Sequence, residues 1–255
     1  KCRQDNNVGV DILSNPVSYE SPWQSTNIAI DDVNVKKQEE IRPGGRKPER
    51  GKRKYIHNTI AHVSKEGMGN YVLNGHGIKY VLLLMTGFLF HNGFIGTRIQ
   101  FFTDGHKVLN ETLLKWFSWY KNVGIILDWH HLEKKCKEQL SMALKGRFIR
   151  NDILDKLMPL LWYGSTDMAV AYLEEIAQNS IKNMSAFDKL VVYLNRNKSY
   201  IPCYAVRKEL GLCNSSAIGE KMNDLVVSKR QKHNGMSWSK SGSVGLATIT
   251  ALKKK

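Results

Sequence analysis

The chain has 255 residues, 42% of them hydrophobic, which is enough to bury a substantial core, and a formal charge of +15 from 38 Lys and Arg against 23 Asp and Glu. That excess points to a polyanionic partner, nucleic acid first, and excludes an acidic, self-solvating disordered chain. The scattered Cys2, Cys136, Cys203 and Cys213 form no CxxC pair, which excludes a small disulfide scaffold and suits a reducing cytosol, and the longest apolar run, residues 81 to 90, falls short of the roughly 20 residues a membrane-spanning helix needs.

Residues 1 to 25 are polar and broken by Pro16 and Pro22, as in a loop-rich lead-in, and they lack the apolar stretch of a secretory signal. The chain starts at Lys1 rather than Met, so a piece of a longer protein is expected. Alternation of Ile28, Ile30, Val33 and Val35 predicts a strand over 27 to 35, interrupted near its middle by Asp31 and Asp32. Residues 36 to 54 hold nine Lys or Arg against three Glu around Pro43, Gly44 and Gly45, which predicts an exposed basic loop. Residues 55 to 64 alternate again, and 70 to 73 supply a short third strand, so three consecutive antiparallel strands are expected.

Residues 78 to 94 are apolar on most faces and predict a buried helix; 98 to 103 predict a strand ending at Asp104-Gly105. A helical stripe of Val108, Leu109, Leu113, Trp116, Phe117 and Tyr120 follows, then a short strand over 123 to 127 ending at Asp128. Strands that return through helices lie parallel, so this part predicts a mixed α/β sheet. From 132 to 178 the pattern is helical, with Leu132, Cys136, Leu140 and Leu144 on one stripe. Helical character continues over 187 to 195 and resumes over 215 to 230 after Pro202, and residues 229 to 255 carry seven Lys or Arg and no acid.

Three acids in separate local settings stand out: Asp31 and Asp104 at the ends of apolar β-like runs, and Glu220 in a helix-like segment. Carboxylates converging at one sheet edge hold the two divalent ions that phosphodiester cleavage or strand transfer employs. Neighbouring strand residues face opposite sides, so only one of Asp31 and Asp32 points into such a site. Asp128 followed by His131 at a helix start adds a carboxylate and an imidazole near the same edge, able to contact a scissile phosphate or order the metal site. Simpler roles stand beside these: Asp-Gly as a turn, Asp128 as a helix N-cap, Glu220 on a solvated face. A zinc site from His130, His131 and Cys136 with Cys203 or Cys213 is a further alternative, though its spacing matches no common finger. Arg46, Lys47, Arg50, Lys52, Arg53 and Lys54 in the basic loop, with Lys229, Arg230 and Lys232, are candidate phosphate contacts or solubilising charge. Trp238 either stacks on an unpaired base or caps the core.

The segments Ala29-Ile-Asp-Asp-Val-Asn-Val-Lys36, Phe101-Phe-Thr-Asp-Gly-His106, Leu127-Asp-Trp-His-His-Leu132 and Glu220-Lys-Met-Asn-Asp-Leu-Val-Val-Ser-Lys-Arg230 with Trp238 resemble bacterial insertion-sequence transposases of the Lre2 type. The resemblance spans nearly everything from about residue 27 onward. It implies a DDE-class enzyme with a ribonuclease-H-like mixed sheet flanked by helices, and a helical insertion before the last catalytic helix. It implies Asp31, Asp104 and Glu220 as the acids around two Mg²⁺ or Mn²⁺ ions, with Asp128 and His131 matching an Asp-x-x-His signature. The partners implied are DNA, as element ends and target, and a second copy of the chain when two ends are joined; no membrane is involved, and the location is the bacterial cytoplasm at the nucleoid. The expected organisation is a lead-in or remnant of a missing N-terminal domain over 1–26, the first part of the catalytic domain over 27–131, a mainly helical insertion over 132–212, and the last catalytic helix with a basic tail over 213–255. The doubled Asp31-Asp32 leaves the first acid open, and no helix-turn-helix or zinc module for binding element ends is recognisable. Two competing functions remain: a structure-selective nuclease on the same framework, and a noncatalytic DNA-binding remnant of a transposase.

Overall fold

The computed structural model describes residues 25–38, 54–65, 67–216, 221–222, 224–232 and 236–253. Five strands, β1 (Ser25–Lys36), β2 (Tyr55–Lys65), β3 (Gly69–His76), β4 (Arg98–Thr103) and β5 (Val123–Leu127), form one sheet in the order β3-β2-β1-β4-β5. β1, β2 and β3 pair antiparallel, whereas β4 and β5 run parallel to β1. The parallel pairs are those joined through helices: α1 (Ile78–His91) leads into β4, and α2 (Lys107–Trp116) lies between β4 and β5. This is an α/β fold of ribonuclease-H-like topology, a mixed sheet flanked by helices.

Both faces of the sheet are covered. Ile28 and Ile30 of β1 and Phe101 of β4 pack with Val81, Leu82, Met85 and Leu89 of α1 and Leu113 of α2. On the other face, Phe102 of β4 and Ile126 of β5 share a core with the helices that follow: α3 (Trp129–Ala143), α4 (Arg147–Trp162), α5 (Thr166–Glu174), α6 (Met184–Asn197) and α7 (Tyr204–Glu209). The helical insertion is therefore built onto the sheet, with Leu132, Leu140, Leu157, Leu173, Leu190 and Leu194 buried at its centre. Full burial of each such side chain contributes about 2 kcal/mol.

A third cluster covers the β1–β2 side of that same face, where Val33, Val35 and Ile60 meet Val226, Val227, Ala247 and Ala251. Val226 and Val227 come from a π-helical turn, Asp224–Ser228, that runs into Lys229–Gln231; the alanines come from α8 (Lys240–Leu252). Buried polar bonds lock this layer: Asn58 of β2 donates to Ser243 Oγ at 2.7 Å, and Gln231 Nε2 donates to the Ser243 carbonyl at 2.9 Å.

Two expectations are corrected. β1 is not interrupted at the aspartates, because its ladder with β2 runs through Asp31↔Ile60 and Asp32↔Thr59 to Lys36↔Tyr55. The helix over 78 to 91 buries one face only, leaving Tyr80, Leu83 and Phe90 exposed, with Phe90 stacked on Trp119 at a centroid distance of 5.6 Å. A single helix layer on a sheet has one side toward the core and one toward water, whatever its composition. No helix among the described residues is long and apolar enough to cross a membrane.

Candidate active site

The sheet register brings the first two acids together. β1 and β4 pair in parallel from Ser25↔Arg98 to Ala29↔Phe102, so Asp31 and Asp104 each lie two residues beyond the last pair, at matching height. β4 and β5 pair up to Thr103↔Leu127, and the next residues are Asp104 and Asp128. Phe102 and Ile126 pack toward α3 and α6, so alternation along the strands turns Asp31, Asp104 and Asp128 to that face. Asp32 falls on the opposite face, where the Thr59 hydroxyl donates to its Oδ1. Between the doubled aspartates, the pleat thus sets Asp31, not Asp32, on the side of Asp104.

Asp31 and Asp104 are exposed and line one cleft of about 290 Å³ at the carboxyl ends of β4 and β5, together with Thr103, His106, His131 and Ser216. Ligand sites of open α/β sheets form at such strand ends, where the chain turns to opposite sides of a strand. Asp32 also lines this cleft, from the other face of the strand.

The Asp104 turn is held from two directions. Within it, the His106 backbone N–H donates to Asp104 Oδ1 at 2.9 Å. From α6, the Tyr193 hydroxyl donates to the Asp104 carbonyl at 2.9 Å, and Arg196 Nη2 donates to the Gly105 carbonyl at 3.0 Å. Gly105 has φ +79°, and a Cβ there would lie 2.9 Å from both Asn197 Nδ2 and Leu127 Cδ1, so the position requires glycine on two grounds.

Asp128 sits behind the cleft and is 1% exposed. It N-caps α3: its Oδ1 accepts the His131 backbone N–H at 3.1 Å and lies 3.4 Å from His131 Nδ1. Its Oδ2 accepts the Ser216 hydroxyl at 2.6 Å and the Ser216 backbone N–H. Burial alone would raise this carboxyl, but the bonds from His131 and Ser216 outweigh it and hold the group down at about 2. Asp128 therefore stays ionised and ties residues 214–216 to the sheet; the Trp129 N–H adds a bond to the Asn214 carbonyl at 3.1 Å. Capping and positioning are combined in one residue, and His131, 31% exposed in its side chain, is the partner that reaches the cleft.

Glu220 and the loop residues Arg46, Lys47, Arg50, Lys52 and Arg53 lie outside the described residues. Lys54, Lys229, Arg230 and Lys232 are exposed. Trp238 is half-buried against the third cluster, and its Nε1 donates to the Gln231 carbonyl at 3.3 Å, which is the packing role. Of the zinc candidates, His130 and Cys213 are exposed and Cys203 is half-buried. Cys136 is buried in the helical core, where burial and the Glu133 charge push its thiol up to about 12.

Sequence reasoning missed Ser216, Tyr193 and Arg196 as site residues. No local pattern marks them: Ser216 meets Asp128 across 88 positions, and Tyr193 and Arg196 meet the Asp104 turn across 89 and 91. Asp31 and Asp104, lining one cleft, offer the hard oxygen donors that Mg²⁺ or Mn²⁺ takes, so the donor type fits such an ion.

No protein-family model matches the chain, and no curated protein sequence matches it either. Among solved structures, the chain is similar to the Drosophila P element transposase strand transfer complex, with 11% identity and a TM-score of 0.31 over 95% of this chain and 67% of that one. A likeness that distant carries no argument about chemistry.

Proposed function

We propose that this chain is the catalytic domain of a metal-dependent DDE transposase, of the kind its motifs resemble among Lre2-type insertion sequences. It would hydrolyse a phosphodiester at an element end and direct the freed 3′-hydroxyl at target DNA. The observation that carries this reading is the matching register of Asp31 and Asp104 on adjacent parallel strands, on one face and in one cleft.

Asp31, Asp104 and Glu220 are the residues that would hold two Mg²⁺ or Mn²⁺ ions, which when bound activate the attacking oxygen and stabilise the leaving one. The chain's own contribution is preorganisation. Tyr193 and Arg196 fix the backbone that presents Asp104, so its carboxylate need not be ordered when substrate arrives. Asp128 anchors Ser216, which stands four residues before Glu220 in sequence. His131 lines the cleft and is a candidate contact to the scissile phosphate. Its imidazole is oriented by the neighbouring Asp128 carboxylate.

The test is Asp104→Asn, assayed with labelled DNA carrying element-end sequences and Mg²⁺ or Mn²⁺. Nicking is expected to fall by about a hundred- to a thousandfold, as when a charge-stabilising group is lost from an active site, with DNA binding retained. Undiminished cutting by this variant removes the proposal. Joined products from the unaltered chain mark strand transfer, and nicking alone marks a nuclease.

A further inference from the structure

A second groove opens from the acid cleft along the helical insertion. Its far part, of about 520 Å³ between α3 and α6, is lined by Lys135, Gln139, Asp188, Lys189, Tyr193 and Arg196. A hollow of about 280 Å³ connects it to the cleft, sharing Lys135, Tyr193 and Arg196 with the groove and Asp104, His106 and His131 with the cleft. Gly105, Lys134 and Glu138 complete the hollow.

Two of the cations here are organised around one ring. Lys135 Nζ and Arg196 Cζ each lie 5.8 Å from the centroid of the Tyr193 ring, so one aromatic face system orders two positive groups. The same Tyr193 bonds the Asp104 carbonyl and the same Arg196 bonds the Gly105 carbonyl, so the groove wall is hydrogen-bonded to the turn that carries the second acid. Among the described residues, none of Lys134, Lys135, Lys189 and Arg196 is in an ion pair. By contrast, Lys137 of the same helix α3 pairs with Glu133 at 2.7 Å, and Lys156 of α4 with Asp152 at 3.0 Å. Burying no charge and pairing none, four cations on one groove suit an external anion with repeating charge. Arg196 adds a planar fork of five donors, of which the Gly105 contact uses one.

We propose that this groove binds the phosphodiester backbone of the DNA strand entering the acid cleft, with Lys135 and Arg196 on the phosphates nearest Asp104 and Lys134 and Lys189 further out. This rests on the proposed function and supplies it with a track on the insertion, separate from the loop and tail cations. Glu138 and Asp188, set among the cations, limit the contacts to individual phosphates rather than a uniformly positive trough.

The test is a triple variant, Lys134→Gln, Lys135→Gln and Lys189→Gln, against a control that removes equal charge from the opposite face of the sheet, Lys79→Gln, Lys115→Gln and Lys121→Gln. Binding to a fluorescent duplex is followed by anisotropy in EDTA across a salt series, and circular dichroism checks that both variants fold. The groove variant is expected to bind about tenfold or more weakly near 0.1 M salt, with the slope of log affinity against log salt shallower by about 2 to 3, close to 0.9 per lost phosphate contact. The control is expected to keep the wild-type slope. A groove variant that binds no more weakly than the control overturns the proposal, as does a wild-type chain without salt-sensitive DNA binding. Undiminished cutting by Asp104→Asn would instead remove the transposase reading, leaving a groove effect on binding intact.

Discussion

Replacing Asp128 with Asn removes a charge that the fold uses in three places at once. The carboxylate is 1% exposed and accepts from the His131 N–H, the Ser216 N–H and the Ser216 hydroxyl. A carboxyl held down at about 2 against an ordinary 3.8 favours the ionised form by about 2 kcal/mol, at about 1.4 kcal/mol per tenfold. Asn keeps one acceptor oxygen but turns its amide donors toward either His131 or Ser216, leaving a buried donor unmatched at roughly 1 to 3 kcal/mol. The expected loss at pH 7 is therefore about 2 to 4 kcal/mol, or roughly 5 to 15 °C in Tm for a chain of this size. The pH dependence has a definite sign: a depressed native pKa contributes stability that is complete above the unfolded value, near 4, and is lost as pH falls toward about 2. Urea unfolding of both proteins between pH 7 and pH 2.5 checks this. The gap between wild type and variant should hold to about pH 4 and narrow below it. A variant as stable as wild type at pH 7, or a gap that does not change with acid, refutes the network as described.

Asp31→Asn should abolish metal-dependent cutting whereas Asp32→Asn, which keeps an acceptor for Thr59, should retain most of it; a parallel nicking assay of the two separates them. Cys136, buried and pushed up to about 12, should resist alkylation at pH 8 in the folded chain while exposed Cys213 reacts, as read by mass spectrometry. Leu190→Ala, in the core joining the insertion to the sheet, should cost about 2 to 5 kcal/mol in denaturant unfolding. A cost below about 1 kcal/mol would show that this core is not shared.

Much of the sheet was legible because its strands carry strong local signals. The alternation of Ile28, Ile30, Val33 and Val35, and the β-α-β succession from residue 98 to 127, follow from side-chain periodicity, and they surface as β1, β4 and β5. The end of a strand is harder to read, because it depends on what pairs with it. The pairing of β1 with β4 stops at Ala29, two residues before Asp31, whereas the ladder with β2 runs on past it, and a single sequence does not distinguish one edge from the other. The choice of Asp31 over Asp32 required the face assignment, which comes from Phe102 and Ile126 packing on the insertion.

α8 was read only as part of a basic tail. Its Ser, Gly and Thr content is poor for helices in isolation, and the helix draws its stability from Ser243, Ala247 and Ala251 packing closely on the sheet. The contacts that hold the candidate site, Asp128 to Ser216 and Tyr193 and Arg196 to the Asp104 turn, join positions far apart in sequence and have no local signature.

The central claim is that Asp31 and Asp104 share divalent metal. A crystal soaked in Mn²⁺, with anomalous data collected at the manganese edge, tests it most directly. The account predicts anomalous peaks in the cleft with carboxylate oxygens of both Asp31 and Asp104 within about 2.0 to 2.3 Å, the range of hard divalent ions. Saturating Mn²⁺ that leaves the cleft without a peak, or that binds only at other carboxylates, would contradict it.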